Sequence, residues 1–309
     1  MQRFKNILVG VDLTWGDHFV GDELAPPTAV AINRALWLAR MNSAKLLFFY
    51  AIDVSAATQR LIQDNHGLEH SVLDQARNAL AKVAAAARDK GVAAETCVVL
   101  GKSWLEIIRQ VIRGKHDLVV VGTRRLGAVL GYLMGSTGIK LLRKCPCPVW
   151  VTQPQPQQRI TSVLVAHDLQ PVSDLAMQLG GSMAELHGAE LHVLHSVDYS
   201  ELAYLLPPKL ATERIAVDRH NANQHIAEQL AAFELARPAQ IHLVTERPDI
   251  AILDHIQRHR VELLVMGTLS RTGIAGVITG NMAERLLPRI PCSVLAVKPD
   301  GFVCPITLE

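Results

Sequence analysis

Short runs rich in Val, Ile and Leu alternate along the chain with longer stretches whose apolar residues recur every three or four positions. That order is expected of a parallel β-sheet covered by helices on both faces. In the first half it predicts strands over 6–12, 45–53, 94–100, 118–122 and 148–152, and helices over 28–41, about 68–90, 104–113 and 136–143. A glycine-containing loop follows the fourth strand. The second half reads the same way, with a loop over 268–280, a helix over 281–287 and a final strand over 293–297. The fold class is therefore α/β, with two tandem, doubly wound, five-stranded parallel-sheet domains.

Self-similarity supports the duplication. At an offset of 145 residues Asp53 falls on Asp198, Gly122-Thr123 on Gly267-Thr268, Gly135 on Gly280, and Cys147 on Cys292. Nearer the start the offset is 156, since Asp12 pairs with Asp168, so the first half carries eleven additional residues. They belong in 13–27, a polar stretch with glycine, aspartate and a proline pair that reads as loop. Between the halves, residues 153–158 (QPQPQQ) form a short extended linker. The expected domains are 1–153 and 159–309.

Composition narrows the function classes. With 309 residues, 49% of them apolar, there is material for two buried cores, whereas 5% aromatic content argues against an aromatic nucleic-acid platform. Lys and Arg number 31 against 29 Asp and Glu, so no strong field gathers nucleic acid or anionic membrane. No apolar run reaches the length of about 18 residues needed to span a membrane, and no signal-peptide pattern opens the chain. A cytoplasmic protein is expected. Five cysteines, an odd number, read as reduced and mostly buried thiols, with Cys147 and Cys292 packing at the start of the last strands.

In open parallel sheets ligands gather beyond the carboxyl ends of the strands, where helix N-termini present unpaired amides. Asp12, Asp168 and both glycine loops fall there. Gly122, Gly127 and Gly131 read equally as turn formers. The residues after each fourth strand resemble the universal stress protein family, whose ATP-binding members carry Gly, any two, Gly, any nine, then Gly and Ser or Thr. The first half supplies Gly122, two residues, Arg125, nine residues, and Gly135-Ser136. The second supplies Gly267, two residues, Ser270, nine residues, and Gly280-Asn281. Both outer frames fit, and Arg125, Ser270 and Asn281 depart from the pattern. The ending Val297-Lys298-Pro299-Asp300-Gly301 with Pro305 resembles the tandem members called E-type.

The resemblance implies an adenine nucleotide alpha hydrolase-like fold and a site for ATP, with magnesium where a metal bridges its phosphates. Its nucleotide-binding residues would be Asp12, Gly122, Thr123, Arg125, Gly135, Ser136, Thr137, Asp168, Gly267, Ser270, Gly280 and Asn281. The first half is the preferred site because it keeps Gly-Ser-Thr at 135–137. Each residue has a plainer reading: Ser136 and Asn281 as helix N-caps, the aspartates as caps of the following loop or helix, Arg125 as filler of the pocket. The resemblance also implies that the last strands pair antiparallel across a pseudo-two-fold axis, giving an intrachain pseudo-dimer that could form a homodimer.

Other chemistry finds little support. Gly101-Lys102-Ser103 lacks the upstream glycine of a phosphate-binding loop, and neither a Gly-x-Ser-x-Gly elbow nor a His-Glu-x-x-His sequence occurs. Nine of thirteen histidines lie in the second half. His255 and His259, four apart on a predicted helix, could share a transition metal but read as an exposed basic face, and His192 and His242 lie in predicted neighbouring strands. No metal site is assigned. The apolar stretch 199–208 (YSELAYLLPP) could wall a hydrophobic pocket or a partner groove, or pack under the following helix. The expectation is a stress-response regulator that binds ATP and is no enzyme beyond slow incidental hydrolysis. The rival is an adaptor for a hydrophobic small molecule or a protein. An adenylyl-transfer enzyme is weakest, because neither a Ser-Gly-Gly loop nor a His-x-Gly-His signature is present.

Overall fold

The computed structural model describes residues 3–14, 20–21, 23–64, 66–125, 132–155, 159–196, 207–268 and 286–308. The chain divides into two compact units, Met1–Pro154 with Val303–Glu309, and Gln155–Phe302. The last seven residues thus belong with the first unit, which divides the expected second segment of 159–309.

Unit 1 runs β1 (Asn6–Gly10), α1 (Pro26–Asn42), β2 (Lys45–Ile52), α2 (Ala56–Asp64), α3 (His66–Asp89), β3 (Ala94–Leu100), α4 (Ser103–Gly114), β4 (Leu118–Gly122), β5 (Arg124–Arg125), β6 (Tyr132–Leu133), α5 (Ser136–Lys144) and β7 (Val149–Thr152). Its sheet order is β3-β2-β1-β4-β7 with every pairing parallel. Unit 2 runs β8 (Ser162–Ala166), α6 (Pro171–His187), β9 (Glu190–Ser196), α7 (Pro208–Leu230), β10 (Gln240–Val244), α8 (Pro248–Arg258), β11 (Leu263–Gly267), a 3-10 turn (Leu287–Arg289) and β12 (Ser293–Val297). Its order, β10-β9-β8-β11-β12, is again parallel throughout.

The duplication extends to strand register. Ile7 faces Leu46 and Leu118 in unit 1, and Val163 faces Leu191 and Leu263 in unit 2, the same partners displaced by 156 and 145 residues. Because the central strands are covered on both faces they are apolar without alternation. Ile7, Leu8, Phe48, Phe49, Leu118 and Trp150 are all fully buried.

Three local features differ from the sequence reading. Helix α1 starts at Pro26, inside the stretch read as loop, because prolines at N1 and N2 remove donors that the first turn leaves unpaired in any case. The expected long helix over 68–90 is preceded by a separate helix, α2, whose start is capped by Ser55 Oγ accepting from Thr58 N at 3.1 Å. Residues Arg124 and Arg125 form a short antiparallel ribbon with Tyr132 and Leu133 rather than open loop.

Gly122, at the end of β4, meets the backbone of α1. A Cβ built there would lie 2.6 Å from Pro27 O and 2.7 Å from Pro27 C. At Gly267 the neighbour is instead the Val172 side chain of α6, whose Cγ1 would lie 2.8 Å from an added Cβ. The glycine therefore serves helix-to-sheet approach. Gly122→Ala is expected to lower stability by about 1–3 kcal/mol, because the obstruction is main chain and cannot rotate aside; the urea midpoint of the variant checks this.

Candidate functional site

Beyond the carboxyl ends of β1 and β4 lies a cavity of about 310 Å³. Its lining includes Asp12, Gly122, Thr123, Gly135, Ser136 and Thr137 from the expected set. Sequence reasoning missed its other polar members, Thr14, Thr28, Tyr50, Asp53 and Ser103. Asp53 was legible only as a repeat anchor, and Ser103 only as part of a rejected phosphate loop.

Asp12 closes its own turn, Oδ1 accepting from Thr14 N at 3.0 Å and from Thr14 Oγ1 at 2.6 Å. The capping role is thus present, and it uses one of two carboxylate oxygens. Burial, and next the negative charge of Asp12, raise the Tyr50 phenol far above its ordinary value, so it stays a neutral donor. Thr123 N bonds Thr152 O at 2.9 Å, whereas Thr123 Oγ1 is buried and makes no hydrogen bond. A buried hydroxyl without a partner costs about 1–3 kcal/mol, and here it borders the cavity.

At α5 the N-cap is Gly135, with no side-chain cap, and Ser136 is the first helical residue. The structure therefore overturns the reading of Ser136 as cap. The first intrahelical bond is Ile139 N to Gly135 O at 3.1 Å, so the amides of Ser136, Thr137 and Gly138 precede the ladder and stand at the positive end of the helix dipole. The side chain of Arg125 lies outside the described residues.

Unit 2 carries different groups at equivalent places. Asp168 also closes a turn, Oδ1 accepting from Gln170 N at 3.1 Å. Thr268 Oγ1 donates to Val297 O at 3.2 Å and accepts from Lys298 Nζ, so the hydroxyl orphaned in unit 1 is satisfied here. His167, Asp174, His225 and Gln229 form a closed network, with Gln229 Nε2 donating to Asp174 Oδ1 at 2.6 Å and His225 Nε2 3.2 Å from the same oxygen. Ser270, Gly280 and Asn281, and residues 199–206 of the apolar stretch, lie outside the described residues.

All five cysteines are free of disulfides, and burial raises the Cys292 thiol to about 12. The histidines depart most from expectation. His255 is buried rather than part of an exposed basic face, and with His259, His192 and His242 it forms one cluster. His192 Nδ1 lies 3.2 Å from His242 Nε2, and the His255 and His259 rings stack at 4.1 Å.

A parallel five-stranded sheet used twice, with a cavity at the strand ends of unit 1, defines a tandem α/β protein. The sequence profile described as the Universal stress protein family matches residues 3–153 and again 159–298, and the chain belongs to that family. Universal stress protein E of Photorhabdus laumondii is 27% identical over 325 aligned residues, covering 99% of this chain and 98% of that protein. The protein of the same name from Escherichia coli K12 is also 27% identical, covering 100% and 98%. A Pseudomonas aeruginosa UCBPP-PA14 crystal structure assigned to the family has a TM-score of 0.73 at 23% identity, over 97% of this chain and 95% of that one. A universal stress protein from Archaeoglobus fulgidus has a TM-score of 0.63 at 18% identity, over 95% and 98%. At these identities the structural likeness speaks for the fold alone. Among the described residues, no helix is long and apolar enough to cross a membrane.

Burial, then the neighbouring rings, depress His192 to about 4 and His255 to about 3. Glu190 opposes the shift at His192, and Arg258 adds to it at His255. In the unfolded chain both titrate near 6.5, so between about pH 6.5 and pH 3 the unfolded state binds more protons and stability falls as pH falls. The urea midpoint of chelator-treated protein should drop between about pH 7 and pH 4, and less steeply in His255→Leu.

Proposed function

We propose that unit 1 is the nucleotide site of a stress-response regulator that binds ATP or a related nucleotide, and that occupancy changes its partners. One observation carries this reading: Thr123, whose buried hydroxyl has no partner, lines the same cavity as Ser136, Thr137 and Gly138, whose amides precede the α5 ladder. Helix N-termini favour phosphate, and Asp12 and Asp53, on the same cavity, suit ribose hydroxyls or a phosphate-bound magnesium. Unit 1 is preferred over unit 2 because the hydroxyl equivalent to Thr123 is already engaged there by Lys298. On this reading the protein acts by binding, with hydrolysis at most slow and incidental. The family's pseudo-dimer of last strands within one chain, a further homodimer and a cytoplasmic location belong to the same proposal.

Native mass spectrometry of freshly purified protein and calorimetric titration with ATP, with and without magnesium, test it. Thr123→Val should weaken binding about 5- to 30-fold, the loss of about 1–2 kcal/mol of hydrogen bonding, while leaving the melting temperature unchanged or higher because it removes an unsatisfied hydroxyl. Gly135→Val with Ser136→Ala should weaken binding more than Asn281→Ala. Neither bound nucleotide nor heat on titration would favour the adaptor for a hydrophobic ligand or protein instead.

A further inference from the structure

We propose that unit 2 holds a divalent transition metal of the zinc class, bound by the imidazoles of His192, His242, His255 and His259. These residues come from three elements: His192 from β9, His242 from the adjacent β10, and the i, i+4 pair from α8 and the residue that caps it. Ligand nitrogens of His192, His255 and His259 all lie within 4.8 Å of one another, and His242 Nε2 lies 3.2 Å from His192 Nδ1. Around tetrahedral zinc, with Zn–N near 2.0–2.1 Å, ligand nitrogens stand about 3.3–3.4 Å apart. Contraction by up to about 1.5 Å, within reach of imidazole rotation, closes the group on an ion.

Three observations favour a ligand over a merely packed cluster. First, His192 Nε2 and His255 Nε2 are buried without a hydrogen-bond partner, and His192 is only 1% exposed. Orphaned buried nitrogens are costly, and a metal would satisfy them. Second, all six pairs of the four rings stand with centroids 4.1 to 5.5 Å apart, so the imidazoles converge on one another. Third, the duplicated fold supplies its own control. At an offset of 145 residues unit 1 places Leu47, Cys97, Gln110 and Gly114 at the four positions, and the shared register pairs Leu47 with Glu95 as it pairs His192 with Gln240. The architecture forms without histidine there, so four converging imidazoles answer no folding need.

A cavity of about 360 Å³ adjoins the cluster, lined in part by His242, His255, His259, Glu246 and Asp254. It gives an ion an entry path, and its two carboxylates are matched by the guanidiniums of Arg219 and Arg258 on the same lining. Asp254 is held by Arg258 at 2.9 Å. Arg219 also lines the cavity, with one guanidinium nitrogen donating to Leu243 O at 2.9 Å.

The test uses the full chain without a histidine tag, stripped with EDTA and dialysed. Titration with cobalt(II) should give the intense visible bands of a tetrahedral nitrogen site, saturating at about one equivalent per chain and abolished by zinc. His242→Gln alone, and His255→Gln with His259→Gln, should weaken uptake at least about tenfold, and zinc should raise the melting temperature of the wild type but not of the double variant. Should the double variant fail to fold, the wild-type spectrum and His242→Gln decide. Weak octahedral bands alone, no stoichiometric uptake, or equal uptake by wild type and His242→Gln would overturn the site.

Discussion

The backbone of Pro27 rests against the Cα of Gly122, and no side chain fits between them. That approach seats α1 on the sheet beside β4, and the cavity opens where α1 begins and the strands end. Val172 against Gly267 does the same in unit 2. A glycine closing the fourth strand is thus a packing requirement first. Its value to a ligand follows, because a helix seated so deeply leaves the strand ends, Asp12 and the start of α5 facing one cleft. The unpaired amides of α5's first turn face the cleft whether or not the strand glycine meets a ligand.

The two units share register to the residue and differ in chemistry. Unit 1 leaves a threonine hydroxyl unsatisfied beside its cleft, while unit 2 satisfies the equivalent hydroxyl with Lys298 and encloses Asp174 among His167, His225 and Gln229. Unit 2 instead gathers imidazoles where unit 1 has Leu47, Cys97, Gln110 and Gly114. One scaffold has therefore been given two different polar arrangements, with the apolar strands carrying the fold in both. This separation is what permits divergence: the buried Val, Ile and Leu side chains fix the sheet, and positions at strand ends and helix caps are free to change.

Most of this architecture was legible in the chain because parallel strands buried on both faces are apolar and bounded, and because duplication places each anchor twice. β3 and β4 were read to the residue. Helix starts were less legible, since Pro26 and Pro27 look like loop and act as first-turn residues, and Ser55 capping α2 sits in a run with no distinctive spacing. In the site, Asp12, Thr123 and the Gly135–Thr137 segment were found from the glycine frame. Tyr50, Asp53 and Ser103 were not, because adjacency of β2 and α4 to the cleft is a matter of strand order and leaves no local trace. The histidine cluster was legible only as two separate pairs, His192 with His242 and His255 with His259, for the same reason. His192, His242 and His255 are far apart in sequence and meet only through the pairing of β9 with β10 and the return of α8 over them.

The final stretch Val303–Glu309 belongs to unit 1, with Cys304 Sγ donating to Lys144 O at 3.3 Å beside the end of α5. A ribosome makes this segment only after every strand of unit 2. Domains synthesised first generally fold first, so unit 1 must mature in two stages, an early one built on its own sheet and a late one that awaits the synthesis of unit 2.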